Sequence, residues 1–197
     1  MSDEQESLTE DNLDAHLMLR IRGGDSQAME ELIRRHQNSV YATVASMLRH
    51  GGDVEDISQQ VFIRIWKGAA TYEPSSKFTT WMYTIVRNLV FNELRRQKRK
   101  PVLSADAIEE EHGQILSIDT APSPDSSLEH KELTQAVEDA IASLPEQASL
   151  AIQLRRYENL SYEEISQVLG ISVSATKSLL FRARNTLKEQ LSGFLGQ

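Results

Sequence analysis

Apolar residues recur at three- and four-residue steps along most of this chain, which predicts amphipathic helices. The first such stretch runs from about Ser26 to Arg49, and the pair Gly51-Gly52 is expected to end it. No stretch alternates apolar and polar residues in the manner of a strand bounded by turns. The pattern therefore predicts an all-α fold. The apolar positions of this first helix are Met29, Leu32, Ile33, Val40, Val44, Met47 and Leu48.

Two further helices are predicted before residue 100. Asp53 is a suitable N-cap, and Asp56 in the following first turn is favoured by the helix dipole. After a loop that contains Pro74, the helical period resumes at about Lys77. The apolar positions of these helices are Val54, Ile57, Val61 and Ile65 in one, and Phe78, Trp81, Met82, Ile85, Val86, Leu89 and Leu94 in the other.

The C-terminal part carries the spacing of a helix-turn-helix. Ser161 and Glu164 form a capping box that predicts a helix starting at about Tyr162. Gly170 permits a sharp turn, and Ser172 can cap the next helix. This spacing is typical of a DNA-binding motif whose second helix enters the major groove. An ordinary helical hairpin with a solvated last helix is the structural alternative.

Charge is distributed unevenly and marks a boundary. Residues 1–14 contain six acidic residues and residues 104–130 contain seven, and neither tract has Lys or Arg. Without these acids the net charge would be +5 instead of −8, which is compatible with nucleic-acid binding by the remainder. The second tract also holds Pro122, Pro124 and several serines, so a mostly disordered linker is predicted.

These observations predict four segments: an acidic N-terminal extension (1–25), a helical domain (26–100), an acidic linker (101–131) and a smaller helix-turn-helix domain (132–197). The chain has no cysteine, which excludes disulfides and thiolate metal sites. No cofactor or metal is expected. Because no apolar run approaches a membrane span and the N-terminus lacks the features of a signal peptide, we expect a cytoplasmic protein without membrane insertion.

The helix predicted after Lys77 combines aromatic, amide and basic side chains. Five of the six residues 95–100 are Lys or Arg. Aromatic rings above a basic helix end suit single-stranded nucleic acid, because bases stack on rings while cations hold phosphates. The alternative is that Trp81 is a core residue and the basic end is only solvated. The candidate residues are Trp81, Tyr83, Arg87, Asn88, Asn92, Arg95 and Arg96.

The second helix of the helix-turn-helix should present an aromatic ring among cations. Arg and Lys can reach phosphates or guanine edges, and the ring of Phe181 can contact a thymine methyl group. The sequence therefore predicts a DNA-contacting surface here. Its candidate residues are Ser172, Ser174, Lys177, Ser178, Phe181, Arg182 and Arg184.

Taken together, the segments resemble the sigma-70 family, specifically the small extracytoplasmic-function (group 4) sigma factors. The resemblance runs from about Ala28 to Gln190, with the linker unmatched. Residues 53–66, "DVEDISQQVFIRIW", are similar to the family's core-polymerase-binding helix. Residues 78–96 are similar to the segment that opens and recognises the −10 element, and residues 144–187 to the domain that recognises the −35 element. In the first motif the matching positions are Asp53, Asp56, Gln59, Phe62 and Trp66.

The resemblance implies a transcription initiation factor that is not an enzyme. Its implied partners are RNA polymerase core and promoter DNA, and it leaves room for an anti-sigma factor. A helix-turn-helix regulator that never joins polymerase remains the alternative, but it leaves residues 53–66 and 78–100 unexplained. A hydrolase using Asp53, Glu55 and Asp56 is a more distant alternative, because helix capping accounts for these acids and no His, Cys or Ser constellation accompanies them.

Overall fold

The structure, a computed structural model, describes residues 10–48, 53–74, 77–99 and 128–195. The described residues are helical and contain no strand, which confirms the all-α prediction. The helices are α1 (Glu10–Arg22), α2 (Ser26–Leu48), α3 (Val54–Gly68), α4 (Phe78–Arg99), α5 (Leu128–Ser143), α6 (Glu146–Arg156), α7 (Tyr162–Leu169), α8 (Val173–Gln190) and α9 (Ser192–Leu195), with a 3-10 turn at Ala69–Thr71.

Helix α2 is the centre of the N-terminal half and packs against α1, α3 and α4. Its apolar stripe is buried as its periodicity predicts, with Leu32, Val40 and Val44 fully enclosed. Asp53 caps α3 by accepting a hydrogen bond from the backbone N–H of Asp56 at 3.0 Å. The predicted cap is therefore confirmed, while the predicted break at Gly51-Gly52 lies outside the described residues.

Helix α1 differs from what the sequence analysis expected. Residues 1–25 were predicted as an acidic extension outside the first domain, but α1 buries Leu17, Met18 and Ile21 in the core. Leu13, Leu17 and Ile21 recur every four residues, a periodic signal that the acidic composition of the tract obscured. The N-terminal helical unit thus begins at least as early as α1.

A buried carboxylate fastens α1 to α2. Asp14 is 2% exposed, and its two oxygens lie 2.8 Å from Nε of Arg35 and 2.8 Å from Nε2 of His36. A buried carboxylate is tolerated only when it is paired and hydrogen-bonded, as it is here. The pairing fixes the register of α1 on α2.

The C-terminal half contains the predicted helix-turn-helix. Ser161 and Glu164 form both hydrogen bonds of the capping box, Gly170 has the left-handed conformation (φ 68°), and Ser172 caps α8. On α8, Thr176, Leu180 and Ala183 are buried against the preceding helices. The predicted turn and caps are confirmed.

The predicted linker is shorter than expected at its C-terminal end. Helix α5 begins at Leu128, so residues 128–131 are helical rather than part of the 101–131 linker. The prediction of disorder for residues 101–127 lies outside the described residues.

The N-terminal and C-terminal halves of the chain contact each other. Helix α4 packs against α7, and α2 packs against α6 and α5. The buried apolar residues of both halves form one continuous cluster. Helix α4 therefore has neighbours on two sides, which decides which of its residues face solvent.

Candidate polymerase- and DNA-binding surfaces

Helix α3 presents the predicted polymerase-binding residues on its surface. Asp53, Asp56, Gln59 and Trp66 are exposed, and Phe62 is half-buried. The carboxylate of Asp56 accepts a hydrogen bond from Nε2 of Gln60 at 2.6 Å. The opposite side of the helix buries Ile57, Val61 and Ile65 in the core. The structure thus places a charged helix start and a partly exposed aromatic pair on one helix.

An apolar depression of about 210 Å³ lies beside this aromatic pair. Its wall includes Met29 and Ile33 of α2 together with Phe62, Ile63 and Trp66 of α3. The sequence analysis did not identify Ile63, which is 50% exposed. Ile63 falls between two members of the buried stripe, Val61 and Ile65, and that position was the signal that it points away from the core.

The predicted DNA-binding residues of α4 differ in burial: some are exposed and others are half-buried or buried. Asn88, Asn92, Arg95 and Arg96 are exposed. Trp81 is half-buried, with its ring centroid 5.3 Å from that of Tyr72 and 6.0 Å from that of Phe78. Tyr72, which precedes α4 in the chain, thus packs against the rings of Phe78 and Trp81 on the helix.

Local hydrogen bonds orient the polar side chains of α4. Oδ1 of Asn88 accepts from Arg87 at 2.6 Å and 3.1 Å, and Oδ1 of Asn92 accepts from Arg95 at 3.0 Å. The Asn–Arg pairs hold the amides and guanidinium groups side by side at the helix surface. Each exposed arginine keeps donors for an additional acceptor such as a phosphate, because a guanidinium carries five N–H groups.

The basic end of α4 is partly neutralised. The guanidinium of Arg96 bonds both oxygens of the buried Glu93, at 2.6 Å and 2.7 Å. This hydrogen bond raises the pKa of Arg96 above its ordinary value. Arg96 is therefore anchored to the helix as well as exposed.

Tyr83 and Arg87 do not lie where the sequence analysis expected them. Tyr83, predicted to contact DNA, is completely buried in this structure. Its hydroxyl is enclosed without a hydrogen-bond partner among the described residues. Burial raises the pKa of Tyr83 well above its ordinary value. Arg87 is half-buried and extends to the helix-turn-helix, where Nη1 lies 3.3 Å from the position that a Cβ on Gly170 would occupy.

Helix α8 brings all of its predicted DNA-binding residues to the surface. Phe181 is 65% exposed, a large value for an aromatic side chain. The opposite stripe of the helix is buried, so the exposed surface is fixed by packing against α6 and α7. The exposed residues are Ser172, Ser174, Lys177, Ser178, Phe181, Arg182 and Arg184.

Tyr162, which the sequence analysis did not single out, supports this surface. Nη1 of Arg184 donates to the Tyr162 hydroxyl oxygen at 3.4 Å, and the guanidinium carbon of Arg155 lies 5.4 Å from the ring centroid. The Arg184 hydrogen bond lowers the pKa of the Tyr162 hydroxyl. Tyr162 thereby connects two cations of different helices beside α8.

Two further features of the described residues concern ligands and membranes. Among the residues that the structure describes, no group of acidic and histidine side chains could hold a metal ion. Within the same part of the chain, no helix is both long and apolar enough to cross a membrane.

Comparison with known protein families assigns both halves of the chain. Residues 32–100 match sigma-70 region 2, and residues 134–187 match sigma-70 region 4. The chain belongs to the sigma-70 family of RNA polymerase sigma factors, which are initiation factors rather than enzymes. The match to region 2 disfavours a regulator that works through a helix-turn-helix alone.

Individual relatives narrow this class to the extracytoplasmic-function type. The extracytoplasmic-function sigma-E factor of Escherichia coli is 35% identical over 189 residues, covering 93% of this chain and 97% of the relative. The corresponding factor of Haemophilus influenzae is 32% identical, covering 93% and 98%. The protein is thus a transcription initiation factor that binds RNA polymerase and promoter DNA.

Solved structures share the fold. CnrH in complex with the cytosolic domain of CnrY has a TM-score of 0.65 at 22% identity, covering 92% of this chain and 98% of CnrH. The sigma factor RpoE in complex with the anti-sigma factor NepR, from Bartonella quintana, has a TM-score of 0.64 at 24% identity, covering 83% and 96%. The arrangement of helices in this chain is therefore shared with known sigma factors.

Proposed function

We propose that three exposed surfaces on α3, α4 and α8 perform the separate tasks of this sigma factor. The observation that carries the proposal is the surface of α8, where every predicted DNA-contacting residue is exposed and the opposite stripe is buried. We assign α8 to the −35 duplex. Lys177, Ser178, Phe181 and Arg182 contact base edges, and Arg184 holds a phosphate.

The α3 surface is assigned to polymerase core. Exposed acids at the helix start are followed by Phe62 and Trp66, which adjoin an apolar depression. An aromatic anchor in a pocket with a charged rim is the usual composition of an interface hot spot. The proposed contact residues are Asp53, Asp56, Gln59, Phe62 and Trp66.

The exposed side of α4 is assigned to the opened −10 strand. Trp81, Asn88, Asn92 and Arg95 fall at steps of seven, four and three residues, which places them on one side of the helix. Unstacked bases need stacking and hydrogen-bonding partners, and this side offers an indole edge, two amides and a cation. Arg96 follows the phosphate backbone. The buried Tyr83 is left out of this site.

The same proposal includes where the protein works and which other proteins it works with. Catalysis belongs to polymerase, so the chain itself needs no catalytic residues, and the protein works in the cytoplasm where polymerase meets DNA. One similar structure is a complex with the anti-sigma factor NepR. We propose in addition that an anti-sigma factor binds this chain.

Reconstituted holoenzyme on genomic fragments tests the function, with run-off RNA as the readout. Permanganate reactivity of −10 thymines then tests the α4 site. We expect the double variant Asn88→Ala, Asn92→Ala to open fewer promoters at limiting holoenzyme. Asn38→Ala, on the exposed surface of α2, is the matched control and should open promoters normally. Normal opening by the double variant would remove both amides from the −10 site.

A further inference from the structure

Helix α3 ends at Gly68, directly beside the indole of Trp81 on α4. A Cβ built on Gly68 would lie 2.9 Å from Cζ2 and 3.2 Å from Cη2 of that indole. Carbon atoms in van der Waals contact are about 3.5–4.0 Å apart, so the indole occupies the space that the Cβ of any other residue would need. The backbone at the end of α3 is therefore one wall of the place where Trp81 lies.

The backbone conformation at this position gives no other reason for a glycine. Gly68 has φ −78° and ψ −13°, in the right-handed helical region that residues with a Cβ readily adopt. Its carbonyl accepts a hydrogen bond from Oγ1 of Thr71 at 3.3 Å, and the N–H of Ala69 donates to the carbonyl of Trp66. The chain is thus still helical here, where alanine is favoured over glycine. The close approach of Trp81 is the physical reason for glycine at position 68.

Two buried aromatic rings hold Trp81 from other sides. The ring centroid of Tyr72 lies 5.3 Å from that of Trp81 at an interplanar angle of 66°, and that of Phe78 lies 6.0 Å away at 47°. Tyr72 is 3% exposed and Phe78 is 1% exposed, and Phe78 also packs against the ring of His36. Close packing leaves neither ring space to move away from Trp81. A methyl group added at Gly68 would therefore push the indole toward solvent.

The position of this indole matters because Trp81 is assigned to the opened −10 strand, together with Asn88 and Asn92. A ring that stacks on a base must lie at the right place relative to the amides that bond the same strand. Such binding sites tolerate displacements of only about 0.5 Å before they lose function. The end of α3 therefore affects the −10 site through Trp81, without contacting DNA in this assignment.

We propose that Gly68 is a positioning residue for promoter opening, because the absence of a side chain there sets how deeply the Trp81 indole lies between α3 and α4. The inference rests on the proposed role of Trp81 in the −10 site. It gives the end of α3 a role separate from polymerase binding, although Gly68 follows Trp66 by only two residues. Substitution of Gly68 should change promoter opening and leave core binding intact.

Gly68→Ala tests the proposal in the full chain with reconstituted holoenzyme. Gly193→Ala is the matched control, since Gly193 is also helical and a Cβ there would have no atom within 4 Å. Permanganate reactivity of −10 thymines at limiting holoenzyme measures promoter opening. Binding to polymerase core and to an isolated −35 duplex is measured separately.

We expect Gly68→Ala to lower promoter opening about tenfold, a change typical of losing one stacked base. Core binding and −35 duplex binding should change less than about twofold, because these sites do not use Trp81. Gly193→Ala should open promoters as the parent does. Parental opening by Gly68→Ala, or an equal loss of core binding, would overturn the proposal.

Trp81→Phe separates a positioning role of Gly68 from a purely structural one. Phenylalanine lacks Cζ2 and Cη2, the two atoms that the added methyl group would meet. In the Trp81→Phe background, Gly68→Ala should therefore change promoter opening less than about twofold relative to Trp81→Phe alone. An equal loss in both backgrounds would mean that the substitution disturbs α3 itself, and the positioning role would be wrong.

Fluorescence of the free protein gives a second measurement. Trp66 and Trp81 are the two tryptophans of the chain, so a Trp66→Phe variant reports on Trp81 alone. Gly68→Ala in this variant should shift the emission to longer wavelengths, because the displaced indole is more exposed to water. An unchanged spectrum would show that the indole does not move and would contradict the proposal.

Failure of the proposed −10 site gives a different result. Trp81→Ala would then open promoters as well as the parent, which would remove Trp81, and with it Gly68, from promoter opening. If instead Trp81→Ala lowers opening and Gly68→Ala does not, the −10 assignment is kept and the inference about Gly68 is wrong.

Discussion

At the scale of single residues, Gly170 determines the path from α7 to α8. Its backbone lies at φ 68° and ψ 34°, a conformation that side chains with a Cβ disfavour. The following residue, Ile171, donates its N–H to the Ser166 carbonyl at 3.1 Å, which completes the turn. Arg87 of the N-terminal half approaches the same point. Gly170 thus determines the turn of the helix-turn-helix and also lies at a contact between the two halves.

Gly170→Ala should lower the free energy of unfolding by about 1–2 kcal/mol, because alanine must adopt the left-handed conformation. Gly170→Asn should cost less, since asparagine tolerates this conformation at helix C-termini. Denaturant unfolding of the two variants measures the difference. Equal losses would mean that crowding by Arg87, rather than backbone strain, dominates at this site.

Arg184 and Lys177 should respond differently to the DNA sequence. Arg184 is tethered to the Tyr162 hydroxyl at the edge of the α8 surface, which suits a phosphate contact. Arg184→Ala should weaken binding to all −35 sequences alike, whereas Lys177→Ala should lose about 1–3 kcal/mol of discrimination at one base position. Binding titrations over single-base variants of the duplex distinguish the roles. A loss confined to one base in the Arg184 variant would reverse the assignment.

At the scale of helices, α3 shows how one element can serve both the core and a partner. Its buried stripe is Ile57, Val61 and Ile65, and the remaining surface carries acids and a 44% exposed Trp66. An exposed indole beside an apolar depression is expensive to leave in water unless a partner covers it. Burial of the apolar stripe therefore stabilises α3, and the exposed side of the helix can contact a partner.

Asp56→Arg should weaken binding to polymerase core about tenfold or more, equivalent to about 1.4 kcal/mol. It removes an exposed acid and places a cation at a helix start, which the dipole disfavours by about 0.3–1 kcal/mol. Glu189→Arg, an identical charge change at the end of α8, is the control. Core affinity and thermal unfolding should be measured together, with −35 duplex binding unchanged. Parental core affinity in the Asp56 variant would contradict the α3 assignment.

At the scale of the whole molecule, the contact between the halves combines stabilising and opposing terms. The ion pairs Lys98–Glu146 and Lys77–Glu164 favour docking, and each is partly exposed and so contributes modestly. Glu158 opposes docking when it is ionised.

The contact between the halves should depend on pH through Glu158. Burial raises the pKa of Glu158, whose carboxyl group faces Tyr83 and His36. A raised pKa means that Glu158 binds this proton more tightly when the halves are in contact than when it is exposed to solvent. The favourable contribution is complete below the ordinary glutamate pKa of about 4.3 and is lost as the pH rises through the raised value.

Asn38 and Asn185 are exposed, one in each half, so energy transfer between dyes at Asn38→Cys and Asn185→Cys reports the fraction of molecules whose halves are in contact. We expect it to fall in the parent as the pH rises through the raised pKa of Glu158, by the linkage just described. Glu158→Gln should keep the halves in contact above that pKa and lose this part of the pH dependence. Identical pH profiles for parent and variant would show that Glu158 does not control docking.

The acidic tract between the halves provides a further test. Residues 104–127 contain six acids and no Lys or Arg, and they precede α5. Such a tract is repelled by DNA and attracted to a basic channel, such as one that holds RNA. Replacing it by Gly/Ser of equal length should change the ratio of abortive to full-length RNA while promoter binding is largely kept. Unchanged RNA products at every salt concentration would show that the tract only connects the two halves.

The sequence by itself determined helices α2, α3, α4, α7 and α8, the caps at Asp53, Ser161 and Ser172, and the exposed sides of α3 and α8. Capping by Asp53, Ser161 and Ser172 depends on residues at most three positions away, and helical periodicity is equally local. Because α3 and α8 each have one buried stripe, their apolar positions also identified the exposed side. These features need no knowledge of distant partners.

The tertiary structure alone decided where α1 packs and which residues of α4 are buried or exposed. Periodicity shows that a helix has an apolar side but not which element will cover it, nor whether a second element covers another side. Helix α4 is covered twice, by the N-terminal core and by the C-terminal half, so Tyr83 is buried while Asn88 remains exposed. Glu158 meets Tyr83 across 75 residues of sequence, a distance over which no local pattern carries information.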